Sequence, residues 1–117
     1  MPKKGKSHHV YVVELSKRVW TKDHKFRAAN PHYMGIRECL YVGMTGTTPE
    51  IRFKKHKTGA KSKKGFKISA YVVEKFGLYL RPSLYEQYNP MSSTDAKIME
   101  ERLAKSLQKE GYAVWWN

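Results

Sequence analysis

Arg52 and His56 stand four residues apart, and on a helix that spacing sets a guanidinium and an imidazole on one side, about 40° apart around the axis. A guanidinium suits a phosphate because its planar fork offers parallel donors and its charge cannot be titrated away. An imidazole can relay or donate a proton near neutral pH, or simply hydrogen-bond a phosphate. The same two residues would equally serve as surface side chains of a basic helix. The third group is an acid. Ala96, Met99, Leu103, Ala104 and Leu107 gather into one apolar arc at about 100° per residue, and Glu100 projects inside it while Glu101 and Ile98 point elsewhere. A carboxylate among core-facing residues requires a cation, a metal or several hydrogen bonds. Glu100 is therefore a metal ligand, a partner to a buried Arg or tyrosine hydroxyl, or a residue at the arc's edge reaching water. A phosphate-binding cation, a titratable ring and a buried acid are the parts of phosphate chemistry.

A few elements must position these groups. Residues 10–15 (Val-Tyr-Val-Val-Glu-Leu) are β-branched and aromatic and predict a buried strand. Residues 39–43 predict a second, with Tyr41 and Gly43 on one face and Leu40 and Val42 on the other. Tyr11 and Tyr41 on such strands are ordinarily core aromatics with tied hydroxyls. Between the strands, residues 16–38 are polar, with turn signals at Asn30-Pro31 and Gly35. They read as a long inserted loop with a short helical piece around 25–29, whose Trp20, Lys22, Lys25, Arg27 and Arg37 could extend a nucleic-acid surface. Thr48 as N-cap, Pro49 at the first helical position and Glu50 in the first turn open a helix predicted to reach about Lys57 and stop before Gly59. Residues 59–65 read as a basic flexible loop. Residues 69–76 are ambiguous, since Ser69 could cap a helix while Tyr71-Val72-Val73 prefers a strand. A short strand follows at 78–80, then an ordered loop at 85–90 with a turn at Asn89-Pro90. Thr94-Asp95 caps the last helix, which runs to about Lys109 and ends at Gly111. Residues 112–116 form a short aromatic terminal strand.

Length and charge bound the rest. The 117 residues suit one domain over 10–117, preceded by a flexible basic tail at 1–9 that holds Lys3, Lys4, Lys6, His8 and His9. With 40% hydrophobic residues, three Trp and eight Tyr, global disorder is excluded. Lys plus Arg number 23 against 10 Asp plus Glu, and the net charge of +13 favours a polyanionic partner. From 51 to 67 the basic residues Arg52, Lys54, Lys55, Lys57, Lys61, Lys63, Lys64 and Lys67 run without an acid, a pattern that binds phosphate backbones in a salt-dependent way or simply solvates a surface. The run contains glycines and lacks a wide apolar face, which argues against a membrane anchor. Cys39 is the single cysteine, so no intrachain disulfide forms and a reducing, cytoplasmic setting is expected.

The order strand, strand, arginine helix, glutamate helix resembles the GIY-YIG nuclease superfamily from residue 10 to about 107. Tyr11 sits where the first motif has its tyrosine, Tyr41-Val42-Gly43 stands in for Tyr-Ile-Gly, and Glu100 matches the glutamate of the later helix. The resemblance implies an α+β fold with a central antiparallel three-stranded sheet flanked by helices. It implies a divalent-metal-dependent endonuclease acting on DNA in repair or mobile-element processing. Its site would comprise Tyr11, Tyr41, Arg52, His56 and Glu100, with Glu100 the ligand of one Mg²⁺ or Mn²⁺ and Gly43 keeping space open for the phosphate. DNA would lie along Lys54, Lys55, Lys57, Lys61, Lys63, Lys64 and Lys67, with Trp115 and Trp116 either as further contacts or, as the more ordinary reading, as core and edge residues. Specificity would come from loops, a partner protein, dimerisation or DNA shape. Three departures stand out: His9-Val10-Tyr11 lacks the motif's glycine, Met44 replaces a lysine found in several relatives, and the link from Leu15 to Cys39 is long. The rival expectation is a non-catalytic DNA- or RNA-binding protein using the basic 52–67 surface.

Overall fold

The structure is a computed structural model that describes residues 6–59 and 71–116. The flexible loop expected at 59–65, Lys61, Lys63, Lys64 and Lys67 within the basic run, the Ser69 cap, and Lys3 and Lys4 of the expected tail lie outside the described residues, apart from Gly59 itself. Strand β1 (His9–Leu15) pairs antiparallel with β2 (Cys39–Thr45), placing Tyr11 opposite Gly43 and Val13 opposite Tyr41. On its other edge β1 meets β3 (Gly77–Leu80), also antiparallel. The expected three antiparallel strands are joined by a fourth, β4 (Ala113–Trp116), which lies parallel to β2 and gives the order β3-β1-β2-β4. The sheet is therefore mixed. Without β4, the outer edge of β2 would leave its backbone donors and acceptors unpaired, and Ala113-Val114-Trp115-Trp116 supplies both a ladder and apolar cover.

The segment read as an inserted loop folds into two short helices, α1 (Arg18–Lys22) and α2 (His24–Ala29). Val19 and Phe26 bury completely, and Asp23 caps α2 by accepting from the Phe26 amide at 3.0 Å. Arg27 donates to the carbonyls of Trp20 and Thr21, and the exposed Arg37 stacks on the Tyr112 ring. Helix α3 (Pro49–Thr58) has the expected start: Thr48 accepts from the Ile51 amide at 3.2 Å. It ends at Gly59 in the left-handed region (φ 66°), where a side chain would strain the backbone. The ambiguous stretch is helical as α4 (Tyr71–Phe76), because Val72 and Val73 both bury in that form and packing overrides their strand preference. Helix α5 (Ser93–Lys109) is capped by Ser92, whose hydroxyl accepts from the Asp95 amide at 3.1 Å, not by Thr94-Asp95. Met91 is held in a two-bond bridge to His8, so Ser92 is the first residue free to turn into a helix.

That bridge also places His8 and His9 inside the fold, against their expectation as tail residues: His9 opens β1. The side chain of Asn89 exchanges two hydrogen bonds with the backbone of Val10, at 2.8 and 2.9 Å, and so extends the outer ladder of β1 beyond β3. Val10, Val12, Val13, Leu40 and Val42 are fully buried, which makes β1 and β2 rigid central strands covered on both faces. Among the described residues no helix is long and apolar enough to cross a membrane.

Candidate active site

Strand alternation puts His9, Tyr11 and Val13 of β1 on the same side as Tyr41, Gly43 and Thr45 of β2. Onto that face α3 lays one side of its helix. The Tyr11 hydroxyl and His56 Nε2 are 2.7 Å apart, and the His56 ring centroid lies 6.0 Å from that of Tyr11 and 5.8 Å from that of Tyr41. One turn earlier Arg52 donates from Nε to the Thr45 hydroxyl at 3.3 Å. The i, i+4 spacing thus works as expected: one residue meets the paired tyrosines and the other reaches the next residue of the same face. Thr45 was missed in the sequence, although its place two residues beyond Gly43 carried the signal.

Gly43 serves a different need from the one expected. A Cβ there would stand 2.6 Å from the Tyr11 hydroxyl oxygen and 2.8 Å from Cε2 of Tyr41. The space it leaves open is filled by the two rings, not left for a phosphate. This close approach lets two tyrosines occupy neighbouring strands on one face, with ring centroids 6.1 Å apart.

Burial governs the protonation states. The Tyr11 phenol is pushed far above its ordinary value, first by desolvation and then by Tyr41, with a further push from the Glu100 charge and an opposing pull from Arg52. It stays protonated throughout the working range. His56, only 3% exposed, is lowered to about 4 by burial and then by the Arg52 charge, so its ring is neutral at physiological pH. Glu100 is the reverse case. It lies on the buried side of α5 with Ala96, Leu103, Ala104 and Leu107, as the periodicity predicts, while Ile98 is exposed. Desolvation lifts its carboxyl to about 7, against the attraction of Lys97. Among the described residues its carboxyl has no hydrogen-bond or ion-pair partner. The same residues hold no group of three or more His, Cys, Asp or Glu side chains able to share a metal.

Two further polar atoms went unnoticed in the sequence. Among the described residues, His9 Nδ1 and the Tyr85 hydroxyl are buried without a hydrogen-bond partner, and burial together with Glu50 and Glu86 raises Tyr85 to about 12. Lys54, Lys55 and Lys57 are exposed on α3, and Lys57 donates to the Gly77 carbonyl at 2.8 Å. Trp115 and Trp116 are half-buried residues of the edge strand β4 and pack against the core. No family model, curated protein or solved structure matches the chain.

Proposed function

We propose that the protein is a divalent-metal-dependent endonuclease that hydrolyses DNA phosphodiesters. The observation that carries this reading is the meeting of residues distant in the chain, Tyr11, Tyr41, His56 and Arg52, over one sheet face. Glu100, whose carboxyl has no hydrogen-bond or ion-pair partner among the described residues, adds to the forces that raise the Tyr11 phenol. A buried carboxyl with no partner among the described residues, its titration raised to about 7, suits a ligand that would take up a cation. Glu100 would hold one Mg²⁺ or Mn²⁺, which when bound polarises a phosphoryl oxygen and stabilises the leaving oxygen. Arg52, half-buried and steadied by Thr45, would neutralise the charge that grows on the non-bridging oxygens. Tyr11 is too strongly held as a phenol to act as a lone base. With neutral His56 at 2.7 Å it works as a relay: its oxygen takes the proton of the attacking water as its own proton passes to His56 Nε2. Repair and mobile-element processing are both suitable settings, with the target chosen by loops, a partner protein or DNA shape.

A second reading, a nucleic-acid-binding protein without cleavage, draws on one observation: Tyr11, Tyr41 and His56 are 1%, 2% and 3% exposed, as core aromatics would be. A plasmid-nicking assay with Mg²⁺ separates the two. Wild type should nick, while Glu100→Ala and Arg52→Lys should lose about 100-fold or more in rate and still bind DNA. Wild type that binds but cuts no duplex, flap or single strand would establish the binder instead.

A further inference from the structure

A second cationic feature lies at the other end of β1 from His9. An open cavity of about 450 Å³ is lined by Arg18 and Lys22 of α1, Lys57 of α3 and Lys75 of α4, with Phe76 and Leu78 as an apolar wall. No acid lines it. Among the described residues none of the four cations has an ion-pair partner, and one hydrogen bond, from Lys57 to the Gly77 carbonyl, holds that side chain at the rim. Four like charges from three separate helices repel one another around a shared hollow. Such an arrangement is relieved by an anion.

We propose that this cavity is a phosphate-binding site that grips the DNA backbone away from the cutting centre. The proposal rests on the reading of the protein as one that acts on DNA; it adds Arg18 and Lys75 to the contact surface and gives Lys22 a definite place in it. The fold supports a single track. Helix α3 starts beside Thr45 with Arg52 and ends with Lys57 at the cavity, so both sites hang on one rigid element. Along β1, Tyr11 and the cavity-lining Ser16 are five residues apart, roughly 17 Å at about 3.3 Å per residue. Phosphates of one strand recur every ~3.4 Å along a duplex axis, so the cavity would meet a phosphate about five nucleotides from the scissile one.

The test is equilibrium binding of a fluorescein-labelled 20-base-pair DNA duplex in EDTA, titrated across salt concentrations. The pocket variant Arg18→Gln/Lys22→Gln/Lys75→Gln is compared with Arg102→Gln/Lys105→Gln/Lys109→Gln on the exposed side of α5, which removes the same charge. All six side chains are exposed, so both variants should fold, and melting curves check this. The pocket variant should bind about tenfold or more weakly, with the slope of log K against log salt reduced by about 2, while the control slope changes by less than 1. Equal or smaller loss in the pocket variant would overturn the proposal, because only total charge would then matter. Nicking by wild type in Mg²⁺ is scored separately. A pocket effect without nicking sinks the nuclease reading alone, and nicking without a pocket effect sinks this proposal alone.

Discussion

Replacing Glu100 by Gln removes the charge while keeping the shape, and its effect on stability should depend on pH in one direction. The folded-state carboxyl is raised from 4.5 to about 7, so between these values the native protein binds more protons than the unfolded chain. Stability contributed by the protonated acid is fully present below about 4.5, and is lost as pH rises through 7. At about 1.36 kcal/mol for each pH unit, the ceiling on that loss is ~3.4 kcal/mol, and water at the edge of the carboxyl lowers it to roughly 2 kcal/mol. His56 works against it in the wild type. Its ring is lowered from 6.5 to about 4, so its contribution is lost as pH falls through that window and is fully present above it. The two trends partly cancel in the wild-type curve, and only the difference between wild type and Glu100→Gln isolates the acid. Urea unfolding at pH 4.5, 6 and 8 should show Glu100→Gln gaining roughly 2 kcal/mol relative to wild type across the series. At pH 8, millimolar Mg²⁺ should stabilise wild type and leave the variant unchanged. A difference that stays flat with pH would refute the argument that Glu100 is a desolvated acid. An equal Mg²⁺ response in both proteins would refute its assignment as the ligand.

Gly43→Ala places a Cβ against the Tyr11 and Tyr41 rings, and should cost about 1–3 kcal/mol in urea unfolding through overpacking. A neutral result would mean that the rings yield without strain. Tyr11→Phe removes the 2.7 Å bond to His56, and should lower both stability, by about 1–3 kcal/mol, and nicking rate, by about 100-fold. Unchanged nicking would remove Tyr11 from the relay.

Much of the site was legible because it rests on local rules. The caps of α3, Thr48 and Gly59, are read from residue type alone, and with them the placing of Arg52 and His56 on one helix side. The same holds for Glu100, since a period of 3.6 residues fixes which positions of α5 share a face. Period-two alternation put Tyr41 and Gly43 together, and carried one residue pair further it would have included Thr45. Local rules failed where neighbours decided the outcome. Tyr71-Val72-Val73 became a helix because burying two valines outweighed their strand preference, and the polar 16–38 segment hid Val19 and Phe26, two apolar anchors of α1 and α2.

Residue types and their periodicity therefore determined which groups exist, which face of its own element each one shares, and the strong positive charge that calls for an anionic partner. Only the tertiary structure decided that β4 runs parallel beside β2, that Gly43 makes room for two phenols, that His56 meets Tyr11, and that cations of α1, α3 and α4 ring one cavity. The reason is physical: periodicity acts over a few residues, whereas register, close approach and desolvation arise between segments far apart in the chain. The neutral ring of His56 and the raised carboxyl of Glu100 belong to that second kind, because what chiefly shifts them is the water excluded by the whole fold.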